Sequence, residues 1–436
     1  MHGRKMPATL RFMLASRRSE LLGLEDLART CELVTHISQL IHALQKERGY
    51  SNIYLSGNAV HQRQQLDVLS LEAEALERDV RLDLDRIDLD AVSTADKTRL
   101  LTRIAYALHS LDELPALRRR IREQAISMHD ATATLVRLIG GLLAVVFEAA
   151  DTAADPDITR CLVALFNFMQ GKELAGQERA LGVVGFASGY FRCDMLERLE
   201  HLLEGQNRCF ATFSRFASAE TQRLWQSLCD SQINTQACRL RDVARRTSPG
   251  AAVEPQLCEL WFELHTRRID AMKNVETRLE QELLQQCRHS IERIRKDLQS
   301  HRKLLDGIAD MHAAAEQAKL FSVQTSDLGT PPPDGMTAMV ARSTLELLQT
   351  QTVRLQGLHE ELREAREALD ERKQVELAKQ QLMRQRGFSE NEAYAWLRHA
   401  AMNQGLRLEQ VAQLLLAMGL APAADPFTGT RQHNRH

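Results

Sequence analysis

Residues 40–55 read LIHALQKERGYSNIYL. Leu40, Ile41 and Leu44 stand three and four residues apart, and Ile53 and Leu55 resume the apolar pattern beyond the polar insertion. That period is one face of an α-helix. The insertion is the anomaly. A glycine inside a helix costs about 1 kcal/mol relative to alanine, and an arginine near a core is unfavourable unless it is paired. A second stretch, GQERALG at 176–182, has the same order of Glu, Arg, small, bulky, small. Arginines set into apolar helices in this way are either paired with a buried carboxylate or placed to hold an anion.

Outward from this helix the period of 3.6 continues almost without interruption from about Leu21 to Phe321. Strong helices are expected near 27–56, 60–83, 96–126, 131–150, 158–189, 192–216, 219–246 and 254–321, with an Asp-Pro turn in DTAADPD (151–157). Two groups of about four helices with short turns predict two four-helix bundles in an all-α fold, spanning 21–321. The last helix of the set reads as very long and, near IERIRKDLQSHRKLLDGIAD, as exposed.

Composition fits this reading. The 436 residues are 44% hydrophobic and 26% charged, with only 5% aromatics, and the formal net charge is −2. So small a charge gives no global attraction for nucleic acid or membrane; any attraction must be local. Among the eight cysteines there is no CxxC pair, so reduced thiols are expected and neither zinc nor a disulfide framework. No secretory leader is evident, and Leu138–Phe147 is too short to span a bilayer, which predicts a cytoplasmic protein with no membrane role. Phosphate-cradling, nucleophile-elbow and HExxH motifs are missing, so the chain is not expected to be an enzyme, and no cofactor or metal is expected.

A linker, VQTSDLGTPPPDG (323–335), falls within the boundary segment 322–338; three consecutive prolines cannot continue a helix. Beyond it Leu348, Leu355, Leu362 and Leu369 recur every seven residues, with Leu358 and Ala365 between them. The stripe predicts a short coiled coil, and with it a homodimer contact; the competing reading is an amphipathic helix packed on its own chain. The C-terminal unit, within 339–420, reads as three short helices. Val375, Ala378 and Leu382 face one way before Gly387. Ser389 and Glu392 make a capping box for the second, which ends at Gly405. Leu408, Val411, Ala412 and Leu415 mark the third. The tail, 421–436, is expected to be disordered.

Arg372, Lys379 and Arg386 share a helix face at spacing seven, and Arg384, Arg398 and Arg407 add charge nearby, with Tyr394, Trp396 and His399 available for stacking. Positive charge with aromatics on a small helical unit suits an RNA backbone and its loops. On composition alone, a solvated face on a protein–protein module is the better reading.

The run from Glu371 to Leu416 resembles the ANTAR domain, an RNA-binding antitermination module. The motif residues are Ala378-Lys379, Leu382-Met383, Gly387, Ser389-Glu390, Ala393-Tyr394, Leu397-Arg398, Ala401-Met402 and Val411-Ala412. The N-terminal region resembles the NIT domain, an all-helical nitrate- and nitrite-sensing module, through Gln45, Glu47-Arg48-Gly49, Ser51, Leu55, Lys172-Glu173 and Gly176–Ala180. The resemblances imply a regulator that takes nitrate or nitrite as effector and binds stem-loops in leader mRNA to control nitrate-assimilation genes. They place one anion-contacting arginine at Arg48 and a second in the later half, at Arg241, then Arg239, then Arg179 in order of preference. A guanidinium offers a planar fork of donors that a lysine lacks, which suits a flat monoanion. Glu47 is then the carboxylate expected to steady a guanidinium in the empty site, and Gly49 and Ser51 are expected to let helices approach closely. The alternative to this reading is a helical signalling module that docks a protein and senses another small anion.

Overall fold

The computed structural model describes residues 8–55, 59–87, 95–322, 362–388 and 390–418; the side chains of 301–322 lie outside this description. The linker, Leu348, Leu355, Leu358, Ser389 of the capping box and the tail all fall outside the described residues.

The fold is all-α. The helices are α1 (Ala8–Leu55), α2 (Ala59–Asp85), α3 (Ala95–Asp112), α4 (Leu114–Arg122), α5 (Met128–Thr152), α6 (Pro156–Ser188), α7 (Cys193–Phe216), α8 (Ala219–Cys229), α9 (Gln232–Arg246), α10 (Leu257–Ser322), α11 (362–386), α12 (Glu390–Gln404) and α13 (Leu408–Met418). Two expected helices are each broken in two. The span 96–126 divides because Pro115, in the first turn of α4, has no N–H to offer the preceding turn. The span 219–246 divides because Ser231 turns its hydroxyl onto the Asn234 N–H and starts α9 afresh.

α1 packs against α2, α5, α6 and α10, and α6 packs against α1, α5, α7 and α10. The joint between α5 and α6 is short. Asp155 caps α6 by accepting from Ile158 N at 3.0 Å, and Pro156 fills its first position, where no amide partner is required. α6 ends at Gly189, whose φ of +76° only glycine adopts without strain. An antiparallel bridge from Tyr190 to Ala252 clips the turn before α10 onto this corner.

The main core runs through Ile37, Leu40, Ile41 and Leu44 of α1 and their neighbours on α5, α6 and α10. At the far end of α6 a second cluster gathers Phe186, Phe191 and Trp261. α5 is long and apolar enough by composition to cross a membrane, yet Leu135, Leu138, Ile139, Leu142 and Val146 on it are buried inside the fold.

α11, α12 and α13 make a third core around Ala378, Leu382, Ala393, Leu397, Val411 and Leu415. The glycine stops fall where the sequence puts them: Gly387 and Gly405 have φ of +69° and +64°. Leu362, Ala365 and Leu369, however, are packed within their own chain. They are buried, Ala365 and Leu369 in the main core beside α5, α6 and α7. In this part of the heptad stripe, the helix packed on its own chain wins over the coiled coil. The apolar residues of α5, α6 and α7 give this narrow stripe a surface to bury against.

Candidate anion site and nucleic-acid interface

Arg48 and Arg179 come together where α1 meets α6. Both are buried, Arg48 completely. Each lies over the other helix's glycine. A β-carbon at Gly176 would strike the Arg48 guanidinium, and one at Gly49 would strike that of Arg179. Gly49 therefore makes room for an arginine head rather than for a helix backbone. Ser51 turns back to the Glu47 carbonyl at 2.7 Å and takes no part.

The two arginines differ in their partners. Arg48 grips Glu173 with Nη1 to Oε1 at 2.5 Å and Nη2 to Oε2 at 3.1 Å, while its Nε has no hydrogen-bond partner among the described residues. Arg179 donates to two neutral acceptors, Thr266 Oγ1 at 2.9 Å and the Gln45 carbonyl at 2.8 Å, and lies over the Phe262 ring. Burial, reinforced by the Arg48 charge, brings its pKa down to about 10. The site thus holds two guanidinium groups against a single paired carboxylate, and the next acid, Asp270, is half-exposed and acts on Arg179 from a distance. Two buried guanidiniums against one carboxylate leave the cluster short of negative charge, a deficit that an anion could make good.

Glu47 does not steady Arg48. It holds Arg118 on α4, Oε1 to Nε at 2.7 Å and Oε2 to Nη2 at 2.9 Å, and accepts from Ser70. Successive helix residues point 100° apart, so positions 47 and 48 cannot serve one site. Glu173 does the work, with Gln45 Nε2 donating to it at 3.0 Å. Beneath lies a fully buried pair, Lys172 with Glu276 at 2.5 Å, joined by Lys273 and Ser38. Burial pushes the Glu276 carboxyl up, but Lys172 and Lys273 outweigh it and hold it at about 2. His42 beside them is driven by burial, then by Lys172, to about 2 and is neutral.

Arg241 lies elsewhere. It forms a fork with Glu178 on the opposite side of α6, at 2.7 and 3.0 Å, near Gln206, His265 and Arg268. Burial raises the Glu178 carboxyl and Arg241, His265 and Arg268 overcome it, leaving it at about 2. Arg239 is exposed. Of the three later candidates, only the third-ranked, Arg179, shares the Arg48 site. The signal was present in the repeated Glu-Arg-small pattern; the spacing along α9 suggested nothing equivalent.

The basic residues of the C-terminal unit are divided between solvent and the bundle. Arg384 and Arg407 are exposed, and Arg386 lies over Trp396. Arg372 lies over Phe166 of α6 and reaches Cys209 of α7. Arg398 pairs with Glu204 of α7 at 3.4 Å. Lys379 is buried, held by Glu376 at 3.0 Å and by Glu390 at 2.8 Å; burial lowers its pKa, and the two carboxylates more than restore it. Tyr394 stacks on His201 of α7, ring centroids 3.8 Å apart, with Arg208 over its face. A cleft of about 560 Å³ separates the units here.

Fold and site together describe a helical bundle with a buried arginine pair, joined to a small three-helix unit that carries further arginines. Residues 39–284 match the family described as nitrate and nitrite sensing (NIT), and residues 363–416 match the ANTAR domain. The chain is 33% identical to the nitrate regulatory protein of Klebsiella oxytoca over 94% of its own length and 96% of that protein's. It is also similar to the solved structure of the NasR transcription antiterminator, at 31% identity, a TM-score of 0.58, and coverage of 95% of this chain and 99% of that one. The chain therefore belongs to the NIT–ANTAR family of nitrate regulatory proteins. Neither matched family is catalytic.

Proposed function

We propose that this chain is a cytoplasmic transcription antiterminator that binds nitrate or nitrite between Arg48 and Arg179 and, in response, binds stem-loops in leader mRNA of nitrate-assimilation genes. The observation that carries the reading is the pair of buried guanidiniums, each over the opposite helix's glycine, of which only Arg48 is paired with a carboxylate. Nitrate or nitrite is the effector ligand, and the proposal needs no cofactor. Arg241 and Arg239 have no part in this site.

The output side supports a resting, masked state. RNA binding needs accessible cations. Here Arg372, Lys379, Arg398 and Tyr394 face the sensor or their own acids, while Arg384, Arg386 and Arg407 are at least partly open to solvent. An effector shifts such an equilibrium only by binding the released state better. The coiled-coil reading is kept for Leu348, Leu355 and Leu358 alone, as the segment through which a second copy would pair.

The test is titration calorimetry with sodium nitrate and sodium nitrite. The wild-type chain is expected to bind, and Arg48→Lys to lose at least tenfold in affinity, because an ammonium cannot grip two oxygens in one plane. Unchanged affinity in Arg48→Lys would remove the proposed site.

A further inference from the structure

Gln177 and Arg198 lie between the anion site and the output unit, in the wall of the cleft. Gln177 is one turn beyond Glu173 on α6. Its Nε2 donates to Glu173 Oε1 at 3.0 Å, the same oxygen that Arg48 Nη1 grips. Its Oε1 accepts from Arg198 Nη2 on α7, also at 3.0 Å. Arg198 in turn faces Glu390 at the start of α12. Burial lowers the Arg198 guanidinium and the Glu390 charge opposes that loss; Glu390 is drawn down by Lys379 first and by Arg198 as well. Glu390 then closes on Lys379 at 2.8 Å. Glu173, Gln177, Arg198, Glu390 and Lys379 all line this one cleft.

We infer that Gln177 and Arg198 form a charge-exchange relay through which occupation of the anion site loosens α12 from the sensor. The inference rests on the anion-sensing reading above. Its physics is the intolerance of a buried carboxylate to isolation. An anion that displaces Glu173 from the Nη1/Nη2 fork of Arg48 leaves that carboxylate with two neutral amides, Gln45 and Gln177. Arg198 is one amide away and already bonded to that amide. Drawn toward Glu173, it leaves Glu390, and the sensor loses its cationic hold on the first turn of α12. Lys379 keeps Glu376 and Glu390 within the output unit, so that unit leaves intact. Gln177 suits the bridging position because a primary amide donates to Glu173 and accepts from Arg198 at once.

The experiment uses the full chain with sodium nitrate, reading nitrate affinity by calorimetry and backbone exchange of α12 by hydrogen-exchange mass spectrometry. In the wild type, nitrate is expected to speed α12 exchange about tenfold, within the usual range of coupling between sites. Gln177→Leu should bind nitrate more weakly, because the displaced Glu173 keeps one amide fewer, and at saturating nitrate should show no acceleration. Arg198→Met, at a partly buried position, should exchange rapidly even without nitrate. Gln177→Leu with the full wild-type acceleration, or Arg198→Met with wild-type slow exchange, overturns the relay alone. A wild-type chain with no heat of nitrate binding removes the anion-sensing reading itself, and the two failures are thereby told apart.

Discussion

Arg48 and Arg179 both give up their hydration, and only Arg48 recovers a carboxylate in return. Breaking a buried pair by disturbing one partner typically costs 3–5 kcal/mol, so the contact is sensitive to small intrusions. Gly176→Ala places a methyl group on the Arg48 head, which is enclosed on every side and cannot swing into water. The variant is expected to lose about 2 kcal/mol of stability in urea denaturation and most of its nitrate affinity; wild-type values for both would show that the guanidinium has another resting place. Glycine here was legible as an anomaly, because helix propensity alone argues against it. What the sequence could not disclose was the crossing, with each glycine serving the opposite arginine. That needs the register of α1 on α6, which no local pattern carries. Glu47 failed as a partner for the same reason: nearness in sequence is not nearness around a helix.

At the scale of elements, α12 on α7 decides whether the output unit is held. Glu204 and His201, one turn apart on α7, meet Arg398 and Tyr394. Glu204→Lys turns an attraction into a repulsion without touching the basic residues themselves. Leader RNA affinity in the absence of nitrate is expected to rise at least threefold, measured by filter binding at fixed salt; an unchanged affinity would mean that α12 is not what masks the surface. Most of the helices were readable from their period, and so were the stops at Gly387 and Gly405, although α1 starts at Ala8, well before the expected 27–56. The two missed breaks trace to Pro115 and Ser231, signals outweighed by strong flanking periodicity. The heptad stripe misled for a different reason. Leu362, Ala365 and Leu369 satisfy any complementary apolar groove, and periodicity does not say whose groove it is.

Among the described residues, the polar clusters around Glu276 and Glu178 are sunk in apolar surroundings, and their protonation ties stability to pH. His42 and His265 are held near 2 and near 3, mainly by burial. An unfolded histidine titrates near 6.5, so protons favour the unfolded chain below that value and the stability due to neutral burial falls with pH. From pH 6.5 to 5.5 the two together should remove about 2 kcal/mol. Glu178 and Glu276, held at about 2, act later: their contribution is complete above about pH 4.5 and is lost as pH falls through the acid range. Melting temperature should therefore decline in two stages, and His42→Gln with His265→Gln should flatten the first. A single decline beginning only below pH 5 would contradict neutral burial of the two rings.

The reciprocal seating of Arg48 on Gly176 and Arg179 on Gly49 also limits how this protein can drift. The four positions behave as two interlocked couples rather than as independent sites. A lineage that acquires a methyl at either glycine regains a comfortable interior only by trimming the facing arginine too. The repaired descendant would fold well and be deaf to its effector, so loss of sensing has a ready two-step route, while recovery demands both reversals together.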